Sequence, residues 1–316
     1  MTFGDLSGFS DPTWQRYALV VTGCLGVYGL VLAGLKLSPL GSRDAVRSTW
    51  TAYLPWLIMA PAVLAAVGFG RQAFIVFLWA LSLAMVWEFA RATGLYTDRV
   101  FVYVVCLWVT GLFWAASIDR YGFFVAMPVY GILMLFMLPA TRDAFEGMIQ
   151  RVALSVVALV FVGWMPAHLA FMANYPNWAA YVLFLIFGTE LNDASAYLIG
   201  KLFGRHKLMP NISPNKTVEG VLGSLVVVSA YTWLVRDWLP DLTPPLLVAS
   251  ALILWLGGIL GDLAMSFVKR DIGIKDMGRL IPGHGGLLDR IDSLLITTPL
   301  FFHMLRYFVP FGGDIG

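Results

Sequence analysis

The densest chemistry in the chain lies between Gly261 and Asp292, GDLAMSFVKRDIGIKDMGRLIPGHGGLLDRID. In a sequence that is otherwise mostly apolar, this stretch holds Asp262, Lys269, Arg270, Asp271, Lys275, Asp276, Arg279, His284, Asp289, Arg290 and Asp292. It also holds a glycine-rich turn, Pro282-Gly283-His284-Gly285-Gly286. Carboxylate oxygens hold hard cations, and Lys and Arg neutralise phosphate. Glycines let backbone N–H groups come close to an anion. Acids alternating with bases beside such a turn suit a metal-plus-phosphate site. The plainer alternative is a charged loop between two membrane spans.

A second polar group stands upstream, in YVLFLIFGTELNDASAYLIGKLFG. Glu190, Asn192 and Asp193 fall inside an apolar helical pattern, where a carboxylate is costly unless paired or metal-bound. Asp193 and Tyr197 share a face, with Gly200 one turn on; a polar helix–helix contact is the simpler reading. The next loop, GRHKLMPNISPNKTVEG, contains Pro210 and Pro214, which exclude a continuous helix. Its Ser213-Pro214-Asn215-Lys216-Thr217 segment leads into a helix with Thr217 as N-cap and Glu219 in the first turn. A helix start carrying hydroxyls and a lysine suits an anion, and an ordinary capped turn explains it equally well.

The elements that must carry these residues follow from composition. The chain is 59% hydrophobic and 13% charged, with mean hydropathy +0.78. Soluble domains carry roughly 25% charged residues. Repeated apolar runs of about 20 residues predict an all-α, polytopic integral membrane helix bundle. The expected spans are 16–36, 51–69, 72–90, 100–118, 121–139, 151–173, 178–200, 217–235, 245–268 and 291–309. Pro299 and His303 interrupt the last, so the expectation is nine or ten. A net charge of +2 excludes a strongly basic nucleic-acid binder. Cys24 and Cys106 lie in apolar runs and imply no disulfide framework. The stretch before Arg16 has Asp5 and Asp11 but no Lys or Arg, which predicts a retained first span rather than a signal peptide.

The basic residues orient the bundle. Lys36, Arg43, Arg47, Arg91, Arg99, Arg142, Arg151, Lys201, Arg205, Lys207, Lys216, Lys269, Arg270, Lys275, Arg279 and Arg290 fall in the loops around 36–50, 91–99, 140–151, 201–216 and 269–290. Only Arg16, Arg71, Arg120, Arg236 and Arg306 fall on the other side. The richer loops are therefore expected in the cytoplasm. Spans one to six carry little chemistry: Glu88 and Arg91, three apart, read as a local ion pair, and His168 and His303 as lone histidines without a metal partner. The chain is expected to divide into a scaffold with lipid access over 1–175 and a catalytic region over 176–316.

Topology decides between the readings. Asp193, Asp262, Asp289 and Asp292 come from three spans, each within about two turns of the cytoplasmic border. Four unpaired carboxylates there would repel one another and lose solvation. One or two divalent cations would remove that penalty, and Lys216, Lys269, Arg270, Lys275 and Arg290 at the same level suit a polyphosphate. The expected chemistry is metal-dependent phosphoryl or nucleotidyl transfer at the inner membrane surface. Gly257 and Gly261, four apart, should let another helix approach closely beside Asp262.

At these residues the sequence resembles the CDP-diacylglycerol synthase (phosphatidate cytidylyltransferase) family. The C-terminal signature stands here as Ser266, Lys269-Arg270, Lys275-Asp276, Pro282-Gly283-His284-Gly285-Gly286 and Asp289-Arg290-Ile291-Asp292. The upstream pattern recurs as Asp193-Ala194-Ser195-Ala196-Tyr197, Gly200-Lys201-Leu202-Phe203-Gly204 and Ser213-Pro214-Asn215-Lys216-Thr217-Val218-Glu219-Gly220. One departure is Ala194, where bacterial members often have Ser or Thr. The resemblance covers about 178–300.

It implies CTP and phosphatidate as substrates, CDP-diacylglycerol and pyrophosphate as products, Mg2+ with room for a second cation, a homodimer, and residence in a bacterial inner membrane. On that reading Asp262 and Asp289 hold the cations, with Asp193, Asp276 and Asp292 as further ligands. Lys216, Lys269 and Arg270 bind the triphosphate. Lys275, His284 and Arg290 contact either phosphate, and Ser213 and Ser266 donate hydrogen bonds. A same-family enzyme acting on a different lipid phosphate is the near alternative. Enzymes that join CDP-lipids to alcohols carry a D-G-x-x-A-R pattern that is absent here. A transporter, the alternative of another class, predicts acids near mid-membrane and paired repeats; the acids here cluster at one face.

Overall fold

The computed structural model describes residues 6–37, 50, 53–278 and 285–309. Among them the chain forms ten helical rods: α1 Pro12–Leu37, α2 Trp56–Gly68, α3 Arg71–Thr93, α4 Arg99–Ser117, α5 Tyr121–Thr141, α6 Met148–Met172, α7 Trp178–Phe203, α8 Val218–Leu234, α9 Pro244–Asp271 and α10 Leu288–Phe308. Seven are long and apolar enough to cross a membrane, and the chain is an integral membrane protein. The shorter apolar rods are α2 and α8. Each rod falls where hydropathy predicts a span. One element is additional: Lys207–Met209 (β1) pairs antiparallel with Ser213–Thr217 (β2), and this hairpin fills the loop that the prolines keep from being helical. Cys24 and Cys106 are free thiols, as expected.

Helix α6 changes pitch over Ala158–Trp164, where it is π-helical, just before Pro166. Proline has no N–H to give to Val162 one turn back. The hydroxyl of Ser82, on α3, donates to the Val162 carbonyl instead, at 2.8 Å in a buried setting. The first half of α7 forms the centre of the bundle, with Tyr181, Phe184 and Leu185 fully buried. Helix α1 lies at the edge. It is held by Tyr17, whose hydroxyl is 2.9 Å from that of Tyr231 and whose ring stacks on Phe187.

Side-chain contacts between loops agree with the charge-based sidedness. Asp98, before α4, accepts hydrogen bonds from Arg142 at 2.7 Å and Arg151 at 2.8 Å, so the loops around 91–99 and 140–151 share one face. Asp98 is mostly buried, which opposes its ionisation. The two guanidinium groups outweigh that and hold its carboxyl below the usual range. At the opposite face Arg71 donates to Asn174 Oδ1 and to the Ser117 carbonyl, both at 2.8 Å. His168 and His303 also differ from expectation: they are not isolated. Helices α6 and α10 set their rings 5.3 Å apart, because aromatic packing around Phe302 draws both inward.

Candidate active site

Two seams of small residues position the site. On α9, a Cβ added to Gly257 would come 2.8 Å from Thr297 Cα, and one added to Gly261 would collide with the Asp292 carbonyl oxygen. The backbones of α9 and α10 therefore touch, as the spacing of the two glycines predicts. That contact sets Asp262, next to Gly261, beside the first turns of α10. On α7, Gly200 packs against Thr217, and Gly220 of α8 against the Ala196 carbonyl. Thr217 caps α8 by accepting from Gly220 N–H at 3.1 Å. Glu219 in the same turn binds the Arg205 N–H at 3.0 Å and His206 Nδ1 at 2.6 Å. These contacts fix the base of the hairpin, and with it Lys216.

The result is a cluster of carboxylates interleaved with lysines. Lys216 Nζ lies 2.6 Å from Asp262 Oδ2, and Ser266 donates to Asp262 Oδ1 at 3.0 Å. Lys269 Nζ lies 2.9 Å from Asp289 Oδ1 and 3.7 Å from Asp292 Oδ2. Asp289 Oδ2 accepts the N–H groups of Met277 at 2.8 Å and Gly286 at 2.9 Å. Asp292 Oδ1 accepts the Ser293 N–H at 2.9 Å, and the Ser293 hydroxyl donates to Asp193. Asp289 and Asp292 are each only 8% exposed. Burying such charges costs several kcal/mol per ion, roughly, unless each is paired and hydrogen-bonded. These partners meet that need for Asp289 in full and for Asp292 only in part. With Glu190 beside Asp193 and Arg290 near both, five acids face three cations, so negative charge is in excess.

The other expected residues lie around this centre. Arg270 Nε donates to the Ile212 carbonyl at 3.3 Å, tying the end of α9 to the hairpin tip. Ser213 opens β2, facing Met209. Lys275 and Asp276 are exposed and make no ion pair among the described residues. Gly285, at φ 80°, turns the chain where an added Cβ would come 2.7 Å from Asp289 Oδ2. Arg290 keeps a buried Nε without a partner among the described residues. Arg279, Pro282, Gly283 and His284 lie outside the described residues.

Ser293 and Glu88 were not singled out by sequence reasoning as members of the site. Ser293 follows the Asp-Arg-x-Asp signature directly, and that adjacency was its only signal. Asn192 is fully buried with both side-chain polar atoms unpartnered among the described residues. Glu88 is a correction. It forms no ion pair with Arg91, whose guanidinium instead sits over the Tyr96 ring. Glu88 Oε2 accepts the N–H of Leu288 at 2.9 Å, from a residue 200 positions away. Helical spacing permitted the local pair, but the start of α10 offers unpaired N–H groups that a carboxylate satisfies better.

Asp193, Asp262, Asp289 and Asp292 offer only oxygen, which suits Mg2+. Among the described residues, no three acids stand close enough to share one ion. Lys216 and Lys269 occupy Asp262 and Asp289 in this arrangement, so the donor types fit and the side chains would have to exchange partners.

The fold and site define a polytopic membrane protein with a carboxylate–lysine cluster where α7 and α9 end and α10 begins. Residues 50–308 match the model of the Cytidylyltransferase family, and the chain belongs to that family. It is 39% identical over 195 residues to Uncharacterized protein YnbB of Escherichia coli (strain K12), covering 58% of this chain and 64% of that protein. It is 45% identical over 170 residues to the Phosphatidate cytidylyltransferase of Mycobacterium leprae, covering 52% and 54%. It is 40% identical over 163 residues to that of Staphylococcus haemolyticus, covering 51% and 60%. The chain thus spans less than two thirds of the length of these curated relatives.

Proposed function

We propose that this protein transfers a cytidylyl group from CTP to phosphatidate, giving CDP-diacylglycerol and pyrophosphate. The observation that carries this reading is the lysine–aspartate lattice, Lys216–Asp262 and Lys269–Asp289, placed at the end of a membrane bundle. Names of relatives from Mycobacterium leprae and Staphylococcus haemolyticus support the choice of substrates.

An oxygen of the lipid phosphate attacks the α-phosphorus of CTP. A new P–O bond forms, the bond to the bridging oxygen before the β-phosphorus breaks, and pyrophosphate leaves with that electron pair. The substrate supplies its own nucleophile, so the protein contributes position and charge. Lys216, Lys269 and Arg270 bind the triphosphate and its leaving pyrophosphate. Lys275, Arg290 and His284 contact the phosphates, and Ser213 and Ser266 donate hydrogen bonds. Asp193, Asp262, Asp276, Asp289 and Asp292 form the acidic set that would hold Mg2+, with capacity for a second cation. When bound, that cation neutralises charge on the triphosphate.

CTP enters from the cytoplasm, the side to which the Lys- and Arg-rich loops are assigned. A cavity of about 90 Å³, lined by Phe77, Met85, Ile186, Phe187, Ile291 and Leu295, adjoins α10 below Asp289 and suits part of an acyl chain. The working unit is a homodimer in the bacterial inner membrane, with helices 1–175 as scaffold and lipid access and 176–316 as the catalytic region.

The test is pyrophosphate release by purified protein in detergent, with CTP, Mg2+ and phosphatidate. Asp262→Asn is the informative variant, because Asp262 is the more exposed acid and is held by side chains that can exchange partners, whereas Asp289 is buried and also anchors two backbone N–H groups. Release that needs lipid and metal, and disappears in the variant, supports the proposal. Metal-dependent CTP binding without release would redirect it to another lipid phosphate. Absence of CTP binding overturns it.

A further inference from the structure

Glu88 comes from α3, in the half of the chain read as scaffold, yet it reaches the loop that precedes α10. Its Oε2 accepts the Leu288 N–H at 2.9 Å. Two glycines make room for it. A Cβ on Gly278 or on Gly286 would collide with Glu88 Oε1. That oxygen is buried and has no hydrogen-bond partner among the described residues. The carboxylate thus fits a cleft with the backbone of Gly278 on one wall and of Gly286 on another. Asp289 holds the backbone at neighbouring positions, through the N–H groups of Met277 and Gly286. Asp289 in turn holds Lys269.

We infer that Glu88 is a positioning residue for the reaction: it clamps the start of α10 against Gly278 and Gly286, and so sets Asp289, Asp292 and Lys269 in register with Lys216 and Asp262. A carboxylate at a helix N-terminus satisfies otherwise unpaired N–H groups and meets the positive end of the helix dipole. A glycine at 278 and at 286 is required for backbone to approach that carboxylate so closely. Misplacement of charged groups by about 1 Å costs on the order of 100-fold in rate. Among the described residues Glu88 touches none of the expected substrate-binding side chains, so it acts through Gly278, Gly286 and the start of α10.

The inference rests on the cytidylyl-transfer reading for its rate measurement, and amide hydrogen exchange gives it a second readout that does not. Glu88→Ala should lower kcat at least about tenfold in folded, monodisperse protein. Exchange at Gly286, Leu287 and Leu288 should quicken. Glu88→Gln keeps an acceptor oxygen and should recover most of the rate. Gly286→Ala should reproduce the loss with Glu88 still present, because its Cβ displaces the carboxylate. Wild-type kcat and exchange in Glu88→Ala overturn the inference. So does a lower Tm with unchanged specific activity of the folded fraction, the mark of a merely structural role. Where Glu88→Ala fails to fold, normal rate and exchange in Gly286→Ala overturn it. Where the wild-type chain makes no CDP-lipid, the functional reading fails, and unchanged exchange in Glu88→Ala and Gly286→Ala then overturns the clamp separately.

Discussion

Lys216 Nζ stands 2.6 Å from Asp262 Oδ2, joining strand β2 to helix α9 across the acid cluster. Both side chains are largely shielded from solvent. A phosphate arriving at Lys216 must therefore take over a partner that a carboxylate already holds. Lys216→Met should abolish this exchange and reduce cytidylyl transfer by roughly 100-fold or more. Pyrophosphate release under saturating CTP checks it; a variant with more than a tenth of wild-type rate would remove Lys216 from the triphosphate site.

Asp289 carries three donors, one of them an ammonium, at 4% side-chain exposure. Asp289→Ala leaves Lys269 and two N–H groups without their acceptor. Breaking a buried pair in this way costs about 3–5 kcal/mol. Denaturation in detergent should show a clear fall in midpoint, whereas Lys275→Ala, at an exposed position, should stay within about 0.5 kcal/mol of wild type.

Asp98 gives a pH signature. Arg142 and Arg151 depress its carboxyl in the folded protein. Such a group contributes stability above its unfolded value, about 3.9, and loses that contribution as pH falls through the lower folded value. The Tm difference between wild type and Asp98→Asn should therefore be constant above about pH 5 and shrink below about pH 4. A difference that grows on acidification would contradict the pairing.

Chelation separates turnover from folding. EDTA should abolish transfer yet move Tm by no more than about 2 °C, since Lys216 and Lys269 already neutralise Asp262 and Asp289 without a cation. A large loss of Tm would mean that the acids depend on metal for stability.

Periodicity and hydropathy made the rods legible, because each property belongs to a single segment. The Gly257–Gly261 face was legible for the same reason. The partner of Glu88 was not. Spacing on α3 offers Arg91, and only the assembled bundle brings Leu288 within 2.9 Å. Lys216 was legible as a cation at the right level, but its choice of Asp262 depends on how the hairpin folds over α9. The hairpin itself was hidden, because Pro210 and Pro214 say what the loop is not. His168 and His303 looked solitary because α6 and α10 are far apart in sequence and adjacent in space.

Helix α9 has two edges with opposite freedoms. Along one, Gly257 and Gly261 lie against backbone atoms of Thr297 and Asp292, and a single added carbon has nowhere to go. Along the other, Leu252, Leu256 and Leu260 are 46%, 45% and 42% exposed. The first edge works as a ruler: Gly261→Ala should cost about 1–3 kcal/mol and shift Asp262 relative to Asp292, whereas Gly23→Ala on α1, with nothing nearby, should be neutral or better. The second edge is a surface that any lipid-soluble side chain can tile. Mutational drift along α9 is thus confined to one flank, and a library randomised at 252, 256 and 260 should retain function where one at 257 and 261 does not.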